Sequence, residues 1–170
     1  MALSARLTLS GGYQATSGPL TANGRVGSSP MPTVSLVLAD GTGVGQANQV
    51  FSTTFSIAAT TFQTYDLKGG GGELDVLNTA LAMTAVKCVI VQLDTPASGT
   101  SVRFGPQNRT NAAQLWFQDV TANFYETIPS FAYHADARAG WALDSTHKTI
   151  HLYNPGGATI AGTLLVIGTK

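Results

Sequence analysis

The sequence predicts an all-β protein, an antiparallel β-sandwich or jelly roll that carries an extended N-terminal arm. Three observations lead there. Thr is abundant, while Glu occurs only at Glu73 and Glu126 and Lys only at Lys68, Lys87, Lys148 and Lys170, the reverse of helical usage. The stretches between Gly and Pro are short, and many alternate apolar with polar residues. Turn signals recur at short intervals without the strand-helix alternation of a βαβ fold.

Taken in order, residues 1–32 differ from the rest. Leu3, Leu7, Leu9 and Tyr13 are interspersed with Gly11-Gly12, Ser17-Gly18-Pro19, Asn23-Gly24 and Gly27-Ser28-Ser29-Pro30, too many turn formers to fill a sandwich layer. This segment reads as an arm or small hairpin element that needs another surface to lie on, with those four residues as candidate contacts. The sandwich body is expected over residues 33–170. Asp40 to Gln46 and Lys68 to Gly72 read as flexible Gly-rich loops. Between them, Ser52-Thr53-Thr54-Phe55-Ser56-Ile57 alternates as a half-buried strand should. Leu74, Leu77 and Leu81 recur at helical spacing, so one or two helical turns are expected between Glu73 and Met83. Ala82 to Leu93 is nearly continuous in apolar character, as in a central strand buried on both sides. Thr149-Ile150-His151-Leu152-Tyr153 alternates again, and Thr163 to Ile167 closes the chain in the style of the central strand.

The chain has 170 residues, enough for one ordinary domain. Charged residues make up 11%, and nine Lys+Arg balance nine Asp+Glu, against a usual charged share of about 25%. With so few and such scattered basic residues, neither nucleic acid nor an anionic membrane surface is an expected partner. No apolar run is long enough for a membrane-spanning helix. A nearly neutral surface also lacks the repulsion that keeps proteins apart, which predicts that partner subunits cover much of it. Met1 to Leu7 lacks the charged and apolar regions of a secretory signal, so synthesis in a reducing cytoplasm is expected, with the single Cys88 as a buried apolar residue.

No residue set predicts catalysis, a cofactor or a metal. Gly41-Thr42-Gly43-Val44-Gly45 matches neither the dinucleotide nor the Walker spacing. His147 and His151 read as exposed strand histidines, and four strand residues span about 13 Å, too far for one metal ion. His134 stands near Asp136 and Arg138, but no nucleophile elbow accompanies it. Glu73 with Asp75 is the closest carboxylate pair, and it reads as a solvated turn. Aromatic residues concentrate late in the chain, including Trp116, Phe124, Tyr125, Tyr133, Trp141 and Tyr153. Trp116, Phe124, Tyr125 and Tyr133 are expected at core or subunit-interface positions; a sugar-binding platform among Trp116, Tyr125, Tyr133 and Trp141 is the alternative.

From Leu38 onward, about three quarters of the chain resembles a family of small bacteriophage and prophage virion proteins. The resemblance lies in the order of several blocks: Ala39 to Phe51 (ADGTGVGQANQVF), Tyr65-Asp66-Leu67, Ala80 to Lys87 (ALAMTAVK), Gly140-Trp141-Ala142-Leu143, Ile150-His151-Leu152-Tyr153-Asn154 and Leu164-Leu165-Val166-Ile167-Gly168. Relatives often carry a Pro-Gly-Gly turn before their penultimate strands, where this chain has Thr127-Ile128-Pro129-Ser130-Phe131, so that loop is expected to be built differently. The resemblance implies a β-sandwich structural subunit without catalytic residues. The expectation is a capsid cement or decoration protein, assembled into the virion in the host bacterial cytoplasm. Its expected partners are the major capsid protein or other virion proteins, and it is expected to form a homo-oligomer, a dimer or trimer. A fibre-base or tail component and a carbohydrate- or receptor-binding module are the alternatives.

Overall fold

The computed structural model describes residues 5–9, 12–15, 27–30, 34–95, 99–105, 113, 115, 126–136 and 139–170. Among these the protein is all-β, without an α-helix, and its sheets are antiparallel apart from one short parallel pairing. The strands are β1 (Ala5–Leu9), β2 (Gly12–Ala15), β3 (Gly27–Pro30), β4 (Val34–Asp40), β5 (Gln46–Ala47), β6 (Gln49–Ile57) and β7 (Phe62–Asp66), followed by β8 (Ala85–Leu93), β9 (Val102–Phe104), β10 (Glu126–Ile128), β11 (Phe131–Ala135), β12 (Trp141–Ala142), β13 (Thr149–Tyr153) and β14 (Ile160–Thr169).

Two sheets build the core. One runs β11-β8-β14-β6, with β12 also on β8, and the other runs β10-β9-β13-β7. β8 and β14 are central because both are long and rich in Val, Ile and Leu, residues that pack well on a pleated surface. Alternation decides which side chain goes where. Phe51, Phe55, Val89, Val91, Leu164 and Val166 from the first sheet meet Tyr65, Val102, Phe104, Ile128, Ile150 and Leu152 from the second in one buried cluster. Asn154 ties the sheets at one end: its Nδ2 donates to the carbonyls of Ile57 (2.9 Å) and Ala158 (2.8 Å), and its Oδ1 accepts the Gly156 N–H. Gly162 lies in central β14, where a Cβ would collide with the Gln92 carbonyl and the Phe55 ring. The close approach there excludes any side chain.

The opposite face of the first sheet is apolar as well. Cys88, Ile90 and Ile167 cluster with Leu36 and Leu38 of β4 and Ala47 of β5, and Val50, Tyr133 and Leu165 pack at the margin. β4 therefore lies on this face through alternate residues while Val37 points outward. β1 pairs with β4, setting Leu7 opposite Leu36 and Leu9 opposite Val34, and β2 pairs with β3, setting Tyr13 opposite Ser29.

Two expectations are corrected. Glu73 to Met83 forms no helical turn: Leu74 pairs with Ala80 in an isolated bridge, and Leu74 and Leu77 are exposed while Leu81 is buried. An Asp side chain that satisfies nearby backbone N–H groups competes with the helix, and Asp75 does so here. His147 precedes β13 and sits in a turn, whereas His151 is in the strand and is buried.

Candidate functional site

The most strongly built surface feature is the loop from Glu73 to Leu81. Asp75 is buried at its base, not solvated as its Gly-rich neighbourhood implies. Its Oδ1 accepts the N–H groups of Leu77 and Thr79, each at 2.9 Å, and its Oδ2 accepts the Thr79 hydroxyl at 2.6 Å and Gln49 Nε2 at 3.4 Å. Burial pushes the carboxyl up, but hydrogen bonds from the Thr79 side chain and backbone, from Leu77 and from Gln49 outweigh it and hold it below its ordinary value.

Gln49 of β6 completes the anchor. Its Nε2 also donates to the Ala80 carbonyl at 3.0 Å, and its Oε1 accepts the Ala82 N–H at 2.9 Å. Backbone bonds close the loop: Asp75 N–H to Thr79 O, Asn78 N–H to Asp75 O, Leu81 N–H to Glu73 O, and Val76 N–H to Val50 O on β6. Asn78 sits at φ 66°, a left-handed conformation that Asn tolerates better than most residues.

A loop fixed at so many points presents its tip rigidly. Apolar side chains stand out from it: Leu74 is 48%, Val76 52% and Leu77 44% exposed, beside exposed Asn78 and Thr79. Beside it opens a cleft of about 510 Å³ lined by Asp40, Asn48, Asp75, Leu77, Thr79 and Lys170. Three apolar side chains held out on a preorganised knuckle lose little conformational freedom when a protein surface covers them.

A second feature lies on the outer face of the β10-β9-β13-β7 sheet. Phe62 and Tyr153 stack across β7 and β13 with ring centroids 4.4 Å apart, and the Arg103 guanidinium lies 6.0 Å from the Tyr153 ring. On the same face His151 bonds through Nδ1 to Thr64 Oγ1 and through Nε2 to Thr149 Oγ1, both at 2.9 Å. With both ring nitrogens engaged, its role is to join β7 to β13.

Of the residues singled out in the sequence, Leu3, Trp116, Phe124 and Tyr125 lie outside the described residues. Leu7 and Leu9 are in β1 and Tyr13 is in β2. Tyr133 lies opposite Ile90, half-buried at the margin of the β4-covered cluster, and its hydroxyl pKa is raised by burial and by Cys88. Trp141 packs against the main core. His134 pairs with Glu126 at 2.7 Å, linking β11 of one sheet to β10 of the other. His147 Nδ1 lies 2.9 Å from Asp144 Oδ2, and that bond, with the N–H groups of His147 and Thr146, draws the Asp144 carboxyl down to about 2. Among the described residues no group of His, Cys, Asp and Glu is placed to hold a metal ion.

Sequence reasoning missed the knuckle. Its anchor, Gln49, is far away in sequence, and the one local signal was an Asp four residues before a Thr in a turn-rich stretch. Neither a protein-family model nor a curated protein matches the chain.

Proposed function

We propose that the protein is a non-enzymatic structural subunit of a tailed-phage virion, seated on the outer capsid surface as a cement or decoration protein. In this reading the two larger sheets are the layers of a jelly-roll β-sandwich, and residues 1–32 are an arm whose β1 is paired to β4 in the isolated chain. The observation that carries the proposal is the Asp75-anchored knuckle with Leu74, Val76 and Leu77 exposed on it. A rigid apolar projection on a nearly neutral protein suits a protein partner better than a charged or small ligand. Burying such half-exposed side chains contributes about 1 kcal/mol each, modest for one subunit but cumulative over a symmetric shell. The order of blocks from Leu38 onward adds the virion context.

The test is to add purified protein to capsids that lack it. Binding that falls with Leu77→Ser is expected; binding to tails or fibre bases instead would move the subunit to another station.

The Phe62–Tyr153 stack beside Arg103 favours a second reading, a carbohydrate-binding module, since aromatic faces pack on the apolar faces of sugars while a guanidinium donates to hydroxyls. A glycan array separates the two, with Tyr153→Ala as control.

A further inference from the structure

Among the described residues the two large sheets end in β11, β6 and the two-residue β12 in one, and in β10 and β7 in the other. Terminal strands expose unpaired backbone groups, and proteins usually protect them with charge, Pro or bulges. β11 carries His134, β10 carries Glu126 and β7 carries Asp66. β6 reads Gln49-Val50-Phe51-Ser52-Thr53-Thr54-Phe55-Ser56-Ile57, nine residues without an ionisable group or Pro. Its pairing with β14 is regular from Gln49 to Ile57, without a bulge.

The direction of its backbone groups follows from the hydrogen bonds. The Val50 carbonyl accepts the Val76 N–H of the knuckle and so points away from β14. On the other side, Gly168 O accepts Asn48 N–H while Ala161 O accepts Asp94 N–H, so even-numbered residues of β14 face β6 and odd-numbered ones face β8. Antiparallel pairing then turns the backbone groups of Ser52, Thr54 and Ser56 outward. Among the described residues no strand pairs with that edge, and the side chains of these three residues are exposed. Their outward backbone is met by one local bond, from the Thr53 hydroxyl to the Thr54 carbonyl at 3.2 Å.

We infer that a second copy of this chain pairs along β6, antiparallel about a two-fold axis through Thr54. The register is set by what is free. Val76 already occupies the Val50 position, which leaves Ser52, Thr54 and Ser56, a set symmetric about its middle member. In the dimer Ser52 lies opposite Ser56 of the partner subunit and Thr54 opposite the partner's Thr54, each pair exchanging two N–H···O bonds. A two-fold contact sets the residue on its axis against its own copy, so a charge at position 54 would meet its like; Thr54 is neutral, and so is the rest of β6. Facing hydroxyl side chains in turn favour the pair through cross-strand Ser and Thr contacts. The result is one continuous sheet, β11-β8-β14-β6 followed by β6-β14-β8-β11. This dimer goes beyond the virion reading and does not depend on which surface the protein covers.

Sedimentation velocity of the full chain tests it. The unmodified protein is expected to dimerise with rising concentration, and Thr54→Lys, an exposed change that brings two ammonium groups together, to weaken dimerisation by about tenfold or more. Mixing Thr54→Lys with Thr54→Glu restores a dimer, which native mass spectrometry identifies as mixed. Hydrogen exchange on the unmodified chain is independent of any variant: the amides of Ser52, Thr54 and Ser56 are expected to slow as dimer forms. A chain that stays monomeric, a dimer indifferent to both substitutions, or fast exchange at those amides in the dimer would overturn the inference.

Discussion

Gln49 and Asp75, 26 residues apart in sequence, meet in the protein interior, where Gln49 Nε2 lies 3.4 Å from Asp75 Oδ2. The contact links the start of β6 to the base of the apolar knuckle. It makes a surface loop part of the folded unit instead of an appendage to it.

Asp75→Ala leaves the donors of Leu77, Thr79 and Gln49 without their acceptor, and a loss of about 1–3 kcal/mol in urea unfolding is expected. The pH dependence has a definite sign. Because the folded carboxyl sits below the unfolded value of 3.8, its stabilisation is complete above that value and disappears as pH falls through the depressed folded one. Asp75→Asn should flatten that part of the acid limb. An unchanged limb would show that the carboxylate does not anchor the loop.

Gly162→Val places a branched side chain where the Gln92 carbonyl and the Phe55 ring already meet. A loss of about 1–3 kcal/mol is expected from this overpacking. Exposed Gly157, with open space around its Cβ position, serves as the control: Gly157→Ala should stay within about 0.5 kcal/mol. Paired thermal melts of the two variants check both.

Cys88 lies wholly buried in β8, and burial pushes its thiol up to about 12. Little thiolate then exists near neutral pH, so iodoacetamide should label the protein only as fast as it unfolds. Rapid labelling under native conditions would refute this placement.

Much of the framework was legible in the residues. β8, β13 and β14 announce themselves by continuous or alternating apolar character, and Phe55 and Ile57 point inward as the pattern of their strand requires. Local spacing misled where a single side chain overruled it: Leu74, Leu77 and Leu81 keep helical intervals, but Asp75 captures the N–H groups of Leu77 and Thr79. His151 looked exposed because alternation sets it opposite Ile150 and Leu152. Its burial depends on Thr64, a residue of another strand, as the knuckle depends on Gln49. Such distant pairings leave no periodic trace in a single chain.

Val76→Ser and Leu77→Ser remove apolar surface already exposed to water. Each should change unfolding free energy by no more than about 0.5 kcal/mol. Together they should weaken binding to capsids by about thirtyfold. Co-sedimentation with capsids, beside a urea melt of each variant, checks both halves.

Electron cryomicroscopy of tailed-phage particles assembled with and without the chain tests the proposed role most directly. Loss of density confined to the outer capsid surface, with the knuckle at the seam between this subunit and the shell, is the predicted result. Density lost from the tail or fibre base, or particles identical in both preparations, would contradict it.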